Sequence, residues 1–368
     1  MIKETLADLV RIDSVSSRSN AEIVEYLEKR CQKLRMMVGY VPYIDKNLVQ
    51  KFNLIACSHR TDKVELALVG HTDTVPYDPN WSEATNLTER DGKLYGRGSC
   101  DTKGFIAAAL TALETAKPQK PVALVCTADE EIGLLGAKVL AENQALRARY
   151  SIVGEPTSLK PIRAGKGYSL AEVIVKGREA HSAYPALGAS AVFRAARLIN
   201  RLESIATKLK EDQHPAFDPP YTTLNIGLIH GGSAKNVLAG ECRFTLEWRP
   251  IPSQPSDHVL NLFQAAIEEE TKLDPGFQCE VDASRQDTGF ETAPDSPLVK
   301  LLERASGKES GTVAFGTEAA QMMLLGSESV VIGPGDIREA HRTGEFVPVD
   351  ELERCAEILK TAIETLCS

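Results

Sequence analysis

Short apolar runs alternate with helix-length segments between about residues 64 and 155. That alternation restricts the chain to layered α/β architectures. Val64 to Val69 reads as a strand, and Val122 to Thr127 is apolar enough to be a central one. Between them, Phe105 to Ala116 is rich in Ala and Leu and stops short of Pro118, which reads as a buried helix. Leu134 to Ala141 reads as a helix and Ser151 to Gly154 as a strand. The texture changes after about Gly165. Tyr168 to Lys176, Thr222 to Ile229, Cys242 to Trp248 and Phe277 to Val281 read as strands, with helices at Ala186 to Leu202 and Asp257 to Thr271. The order β-α-β-β-α-β is the split βαβ plan of a small sandwich. The tail returns to the first texture, with strands at Gly311 to Phe315 and Ser329 to Ile332 and a helix from Glu318 between them. Asp350 to Leu366 reads as an amphipathic helix, with Asp350 and Glu353 placed like a capping box. The expectation is therefore a discontinuous domain of residues 1–164 and 285–368, interrupted by an inserted α+β domain at 165–284.

Length agrees with this, because 368 residues exceed what one core comfortably holds. The composition, 43 % hydrophobic and 25 % charged, is that of an ordinary globular chain. The net charge of −9 and the lack of a basic stripe argue against nucleic acid or an anionic membrane as partner. The first residues carry charges throughout and lack a signal peptide's apolar stretch. No window approaches the roughly 20 apolar residues of a membrane span. A cytoplasmic location is expected. The eight cysteines are scattered without a Cys-x-x-Cys pair, so they read as small buried apolar residues.

Chemistry-bearing residues gather where strands end. His71 and Asp73 follow the strand at 64–69. In α/β sheets that edge is where ligands bind. A carboxylate beside a metal-binding His can fix its tautomer. Asp101 ends Gly96-Arg97-Gly98-Ser99-Cys100-Asp101 just before a helix. It is either an N-cap or a carboxylate whose two oxygens bridge two cations. Glu130 and Glu131 follow the strand at 122–127, where adjacent acids repel unless solvated or neutralised by a cation. One could bind metal while the other works as a general base. Glu155 follows a third strand, and His341 lies in a Gly/Pro-rich loop after a further one. Each alone reads as a cap, turn or solvated acid. Together, five strand ends deliver nitrogen and oxygen ligands to one sheet edge. That donor set suits zinc, cobalt or manganese and is enough for two ions.

His-Thr-Asp-Thr-Val-Pro (71–76), Gly-Arg-Gly-Ser-Cys-Asp-Thr-Lys-Gly (96–104), Glu-Glu (130–131), Gly-Glu-Pro-Thr (154–157) and His341 resemble, in order and across nearly the whole chain, the M20 family of zinc-dependent amidohydrolases and carboxypeptidases. The resemblance implies an α/β fold: a mixed-sheet zinc-hydrolase catalytic domain with an inserted ferredoxin-like α+β lid and dimerisation domain. It implies two divalent ions, Zn2+ or Co2+, with His71 and Glu155 on one, Glu131 and His341 on the other, and Asp101 bridging. Asp73 would orient His71, and Glu130 would be the general base.

In the insert, Gly177 to Ser182 resembles the family's Gly-x-x-x-His-Ser stretch. His181 would there stabilise an oxyanion in the neighbouring subunit of a homodimer. Gly231 to Val237 resembles the Gly-Gly-x-x-x-Asn stretch, and Glu247-Trp248-Arg249 stands where the family usually has Asp-x-Arg. Asn236, Arg249 and the backbone near Gly316 would hold the substrate carboxylate. Gly316 to Ala320 and Gly333-Pro334-Gly335 look like the acetylornithine deacetylase branch, and overall likeness points to the N-acetyl-L-citrulline deacetylases of arginine biosynthesis. The implied substrate is a small N-acetyl-L-amino acid. A dipeptidase or carboxypeptidase, a succinyl-diaminopimelate desuccinylase and a non-catalytic descendant are the competing readings.

Overall fold

The computed structural model describes residues 2–368. Its elements run α1 (Ile2–Arg11), α2 (Ala21–Lys33), β1 (Met37–Ile44), β2 (Gln50–Cys57), β3 (Lys63–His71), β4 (Thr88–Arg90), β5 (Lys93–Tyr95), α3 (Lys103–Thr115), β6 (Val122–Thr127), α4 (Leu135–Glu142), β7 (Arg147–Val153) and β8 (Ile162–Gly165). They continue with β9 (Tyr168–Lys176), α5 (Ala191–Lys208), β10 (Thr223–Gly231), β11 (Glu241–Arg249), α6 (His258–Leu273) and β12 (Gln278–Asp287). The chain closes with β13 (Phe290–Glu291), α7 (Pro297–Ser306), β14 (Gly311–Val313), α8 (Ala319–Leu324), β15 (Glu328–Val331), β16 (Phe346–Pro348) and α9 (Val349–Leu366). Two compact units result. The first holds the chain up to Arg163, Glu291–Gly311 and Thr317–Ser368, and the second holds Ala164–Phe290 and Thr312–Gly316.

The first unit is built on a mixed sheet in the order β1-β2-β6-β3-β7-β15. β3 runs parallel to β6 and β7, and β15 parallel to β7, while β2 is antiparallel to both neighbours. Register decides where the site forms. His71 of β3 lies opposite Thr127 of β6, and Val153 of β7 pairs with both Val69 and Val331. The loops after β3, β6, β7 and β15 therefore leave one sheet edge together. Beneath it, α3 packs on the sheet and against α1 and α9. Phe105, Ile106 and Leu110 are fully buried there. Each such side chain contributes about 1.5–3 kcal/mol on burial. A helix covered on nearly all sides has little need of polar residues, which explains its Ala/Leu composition.

The second unit is an antiparallel sheet in the order β10-β11-β9-β12, covered by α5 and α6. Val173, Val175, Phe244 and Leu246 face Leu198, Leu202, Val259 and Phe263 across the layer. This is the split βαβ arrangement, with the first strand inside the sheet beside the third and fourth.

Several sequence expectations are corrected. The first 57 residues, left without elements, form α1, α2, β1 and β2; α1 is amphipathic, with Leu6, Leu9 and Val10 buried. α5 begins at Ala191 rather than Ala186, because Pro185–Leu187 makes a separate tight turn and Gly188 packs against the Arg178 carbonyl. Asp350 is not a cap: α9 starts at Val349, Pro348 occupies the N-cap, and no side chain caps it. Residues 312–316, assigned above to the discontinuous domain, cluster with the second unit, where Val313 O accepts from Lys166 N and Thr312 Oγ1 donates to Ala216 O. All eight cysteines are free thiols, buried except for the half-buried Cys279. Among the described residues no helix is long and apolar enough to cross a membrane.

Candidate metal centre

β3 ends on His71, whose ring is sealed from solvent. Its Nδ1 lies 2.9 Å from the Asp73 backbone oxygen and 3.6 Å from the Asp73 carboxylate, so Nδ1 carries the proton and Nε2 is presented outward. The Asp73 carboxylate holds other groups more closely. It accepts from Ser16 Oγ (2.7 Å), Glu130 N (3.1 Å) and Glu131 N (3.3 Å). Asp73 thus fixes both His71 and the turn carrying the two glutamates.

Asp101 is not an N-cap. Thr102 occupies that position of α3, and the Asp101 side chain points into the site instead. Its Oδ1 lies 3.0 Å from His71 Nε2 and its Oδ2 lies 3.1 Å from His341 Nε2. One carboxylate with an imidazole on each oxygen is the arrangement a bridging ligand needs. Glu131 reaches the same imidazole, 3.0 Å from His341 Nε2. His71, Asp101 and Glu131 each offer a ligand atom, all within 4.8 Å of one another.

Asp101 and His341 are not delivered by strand ends of the large sheet, as the sequence suggested. Asp101 lies in the turn between β5 and α3, and His341 in a loop ten residues past β15, at φ +60°. Their placement depends on Glu345. This fully buried carboxylate accepts from Cys100 N (3.0 Å) and Asp101 N (3.1 Å) and pairs with Arg97 Nη1 at 2.5 Å. Gly335 (φ +83°) lets the His341 loop pass against Cys100, since a Cβ there would stand 2.4 Å from its Sγ.

Glu155 is buried just past β7, and its loop is laced to the one after β15 by Leu159 N donating to Gly333 O (2.9 Å). Burial first, then repulsion from Asp101 and Glu130, raises its carboxyl well above the usual range. Glu130 is raised likewise by burial, against the attraction of His71 and with the repulsion of Glu131 and Glu318. Burial and Asp101 raise Glu131, although His341 opposes them. Hydrogen bonds to Asp101 and Glu131 lift His341 to about 10. The polypeptide alone balances its acids by holding protons on imidazole. A cluster of buried and half-buried carboxylates opposed mainly by His71 and His341 is a donor set short of positive charge, and it fits divalent cations with nitrogen and oxygen ligands.

One acid of this cluster escaped the sequence reading. Glu318, 1 % exposed at the start of α8, has an Oε1 without a hydrogen-bond partner and is lifted to about 7 by burial. Its signal was present: an acid opening the short helix Ala319–Leu324, whose residues are apolar except for Gln321.

The remaining expected residues lie in the second unit. His181 is exposed; its Nδ1 accepts from Ala183 N, and its ring stands 5.9 Å from Tyr184. Asn236 O accepts from Ser182 N, joining the two expected stretches. Arg249 donates from Nε to Glu247 and stacks 4.3 Å above Tyr168. Gly316 lies near the Lys166 oxygen and Tyr168, 3.7 Å from where its Cβ would be.

Residues 67–365 match the family described as peptidase family M20/M25/M40. An acetylornithine deacetylase of Myxococcus xanthus is 50 % identical over 370 residues, covering 100 % of this chain and 97 % of the relative. One of Yersinia pseudotuberculosis is 34 % identical over 365 residues, covering 96 % and 93 %. Among solved structures, a Staphylococcus aureus tripeptidase superimposes with a TM-score of 0.78 at 24 % identity, covering 100 % of this chain and 98 % of its own. An M20 family metallo-carboxypeptidase from Sulfolobus solfataricus does so with a TM-score of 0.73 at 19 % identity, covering 99 % of each chain. These two show the same fold. The chain therefore belongs to peptidase family M20/M25/M40 and is a metal-dependent amidohydrolase.

Proposed function

We propose that this enzyme hydrolyses the acetyl amide of a small N-acetyl-L-amino acid, with N-acetyl-L-ornithine and N-acetyl-L-citrulline as the candidate substrates, in arginine biosynthesis. The observation that carries the reading is Asp101, whose two oxygens each face an imidazole beside the pinned Glu130–Glu131 turn. The full-length likeness to acetylornithine deacetylases supports the acyl group and substrate size.

His71, Asp101, Glu131, Glu155 and His341 would hold two divalent ions, Zn2+ or Co2+. When bound, such ions polarise a carbonyl and bring the pKa of water towards about 7. Glu130 takes a proton from the attacking water as its oxygen bonds to the acetyl carbon. It returns that proton to nitrogen as the C–N bond breaks, leaving acetate and a free amine. Burial and neighbouring acids raise the Glu130 carboxyl, which suits a group that both accepts and returns a proton. Asp73 keeps His71 in the Nδ1-protonated tautomer. In the second unit, Arg249 and Asn236 would recognise the α-carboxylate, aided by backbone near Gly316. Arg suits this because its planar fork pairs two oxygens. His181 would stabilise the oxyanion across a homodimer. Exposed Leu228 and Ile229 on the edge strand β10, with Phe193 on α5, support self-association of that unit.

The test is turnover by metal-loaded enzyme of acetylornithine, acetylcitrulline and other acetyl-amino acids, set against succinyl-diaminopimelate and a dipeptide panel. Preferential release of acetate from one of the first two supports the proposal. Faster cleavage of dipeptides would replace it with a peptidase assignment. Light scattering of the purified protein tests the dimer.

A further inference from the structure

We propose that Lys51 and Asp129 are positioning residues for the metal centre: a buried pair that holds the Glu130–Glu131 turn from behind and sets the affinity of the ions. The inference rests on the two-metal reading above. It starts from an oddity of β2, where Lys51 and Asn53, two residues apart and so on one face, are 1 % and 0 % exposed. A lysine and an asparagine inside a sheet are tolerated only when fully partnered.

Both spend their hydrogen bonds around the turn that follows β6. Asn53 Oδ1 accepts from Ala128 N (3.1 Å) and Nδ2 donates to Gly136 O (3.1 Å), gripping the two ends of the turn. Lys51 Nζ has three protons and uses all of them, on Asp129 Oδ1 (2.8 Å), Ser16 O (2.5 Å) and Arg18 O (2.7 Å). Asp129 Oδ2 accepts from Tyr43 OH at 2.8 Å. The backbone of Asp129 sits at φ +56°, a left-handed conformation that few non-glycine residues other than Asn and Asp adopt, and its side-chain bonds help to hold it there. The very next residues are Glu130 and Glu131.

Ser16 joins this grip to the ligand side. Its carbonyl accepts from Lys51 while its hydroxyl donates to Asp73 Oδ2, and Asp73 accepts from Glu130 N and Glu131 N. Lys51 therefore controls the turn along two routes: through Asp129 at its entry, and through Ser16 and Asp73 on its site-facing side. Releasing Asp129 lets its backbone relax and moves both glutamates relative to His71 and His341.

A pair serving only packing behaves differently. Buried ion pairs are often replaceable by apolar residues without loss of stability. If packing were its whole purpose, such a replacement would leave metal affinity untouched. Positioning groups behind metal ligands typically cost roughly 10–100-fold in metal affinity or activity when changed.

The test uses Co2+ titration of the metal-stripped, full-length enzyme, read by affinity and by the visible absorption of bound Co2+. Thermal melts of the metal-free proteins run in parallel. Asp129→Asn and the double variant Lys51→Met/Asp129→Asn should bind Co2+ roughly 10–100-fold more weakly, with a changed spectrum, and the double variant, which buries no unpaired charge and keeps a residue that tolerates φ +56°, should melt above Asp129→Asn. Tyr43→Phe removes, at a half-buried position, the hydroxyl that donates to Asp129 Oδ2 (2.8 Å) and reaches Ala128 O (3.5 Å), keeps the fold, and should weaken Co2+ a few-fold. Wild-type affinity and spectrum in the folded variants, Tyr43→Phe included, overturn the proposal while the metal-centre reading stands. If wild type itself takes up no Co2+, both fall.

Discussion

Glu345 offers the most direct test of how the site is held together. Its side chain is 0 % exposed and its Arg97 partner 4 % exposed, and the pair meets at 2.5 Å. Arg97 also donates to Pro76 O at 3.3 Å and lies 5.5 Å from the Trp81 ring centroid. Glu345→Gln keeps an acceptor oxygen for Cys100 N and Asp101 N but removes the charge that Arg97 faces. Leaving one charge buried without its partner costs about 3–5 kcal/mol. In a unit of this size each kcal/mol lowers the midpoint by about 2–4 °C, so the first transition should fall by about 6–20 °C. The assay is a thermal melt of the metal-free protein, followed by circular dichroism. Arg97→Met in the Glu345→Gln background should recover part of the loss, because no unpaired charge then remains. A Glu345→Gln midpoint within about 2 °C of wild type would refute the reasoning. So would a double variant no more stable than the single.

Other outcomes follow from the same geometry. Chelation should abolish activity and lower the melting midpoint, and readdition of Zn2+ or Co2+ at about 100 times Kd should return about 2.7 kcal/mol per site; a midpoint indifferent to metal would remove the metal centre. Glu130→Gln should reduce kcat by about 10^2–10^4-fold, and a fall smaller than tenfold would strip Glu130 of its role as base. Glu318, lifted from 4.5 to about 7, gives stability that is complete below about 4.5 and is lost as pH rises through 7. Glu318→Gln should therefore gain midpoint over wild type between pH 5 and 8 in metal-free protein, and a difference that is flat with pH contradicts this. Gly154→Ala would put a Cβ 2.1 Å from Phe105 Cγ and should cost at least about 1–3 kcal/mol by overpacking, read as a lower urea midpoint; an unchanged midpoint would show that the core there yields.

Much of the site was legible because metal chemistry restricts residue type. His71, Asp101, Glu131 and His341 stood out as nitrogen and oxygen ligands in turns, and the structure gathers these four. Alternating patterns exposed the layered fold and the split βαβ unit, since periodicity reports which face of an element is buried. The same logic failed at β1, an edge strand with mostly exposed and half-buried positions whose alternation is weak. It also failed at Lys51, which reads as an ordinary surface lysine until the strand carrying it is found to be covered.

The sequence by itself determined the ligand types, the strand ends carrying His71, Glu130, Glu131 and Glu155, and the order of elements, because these follow from local pattern and side-chain chemistry. Only the tertiary structure decided that Asp101 faces His71 and His341 rather than capping α3. That choice depends on Glu345, 244 residues away, accepting the Asp101 amide proton. It likewise decided that Glu318 joins the acids and that Lys51 stands behind them. Such pairings are set by strand register and packing of distant segments, and hydrogen bonds across hundreds of residues leave no period in a sequence.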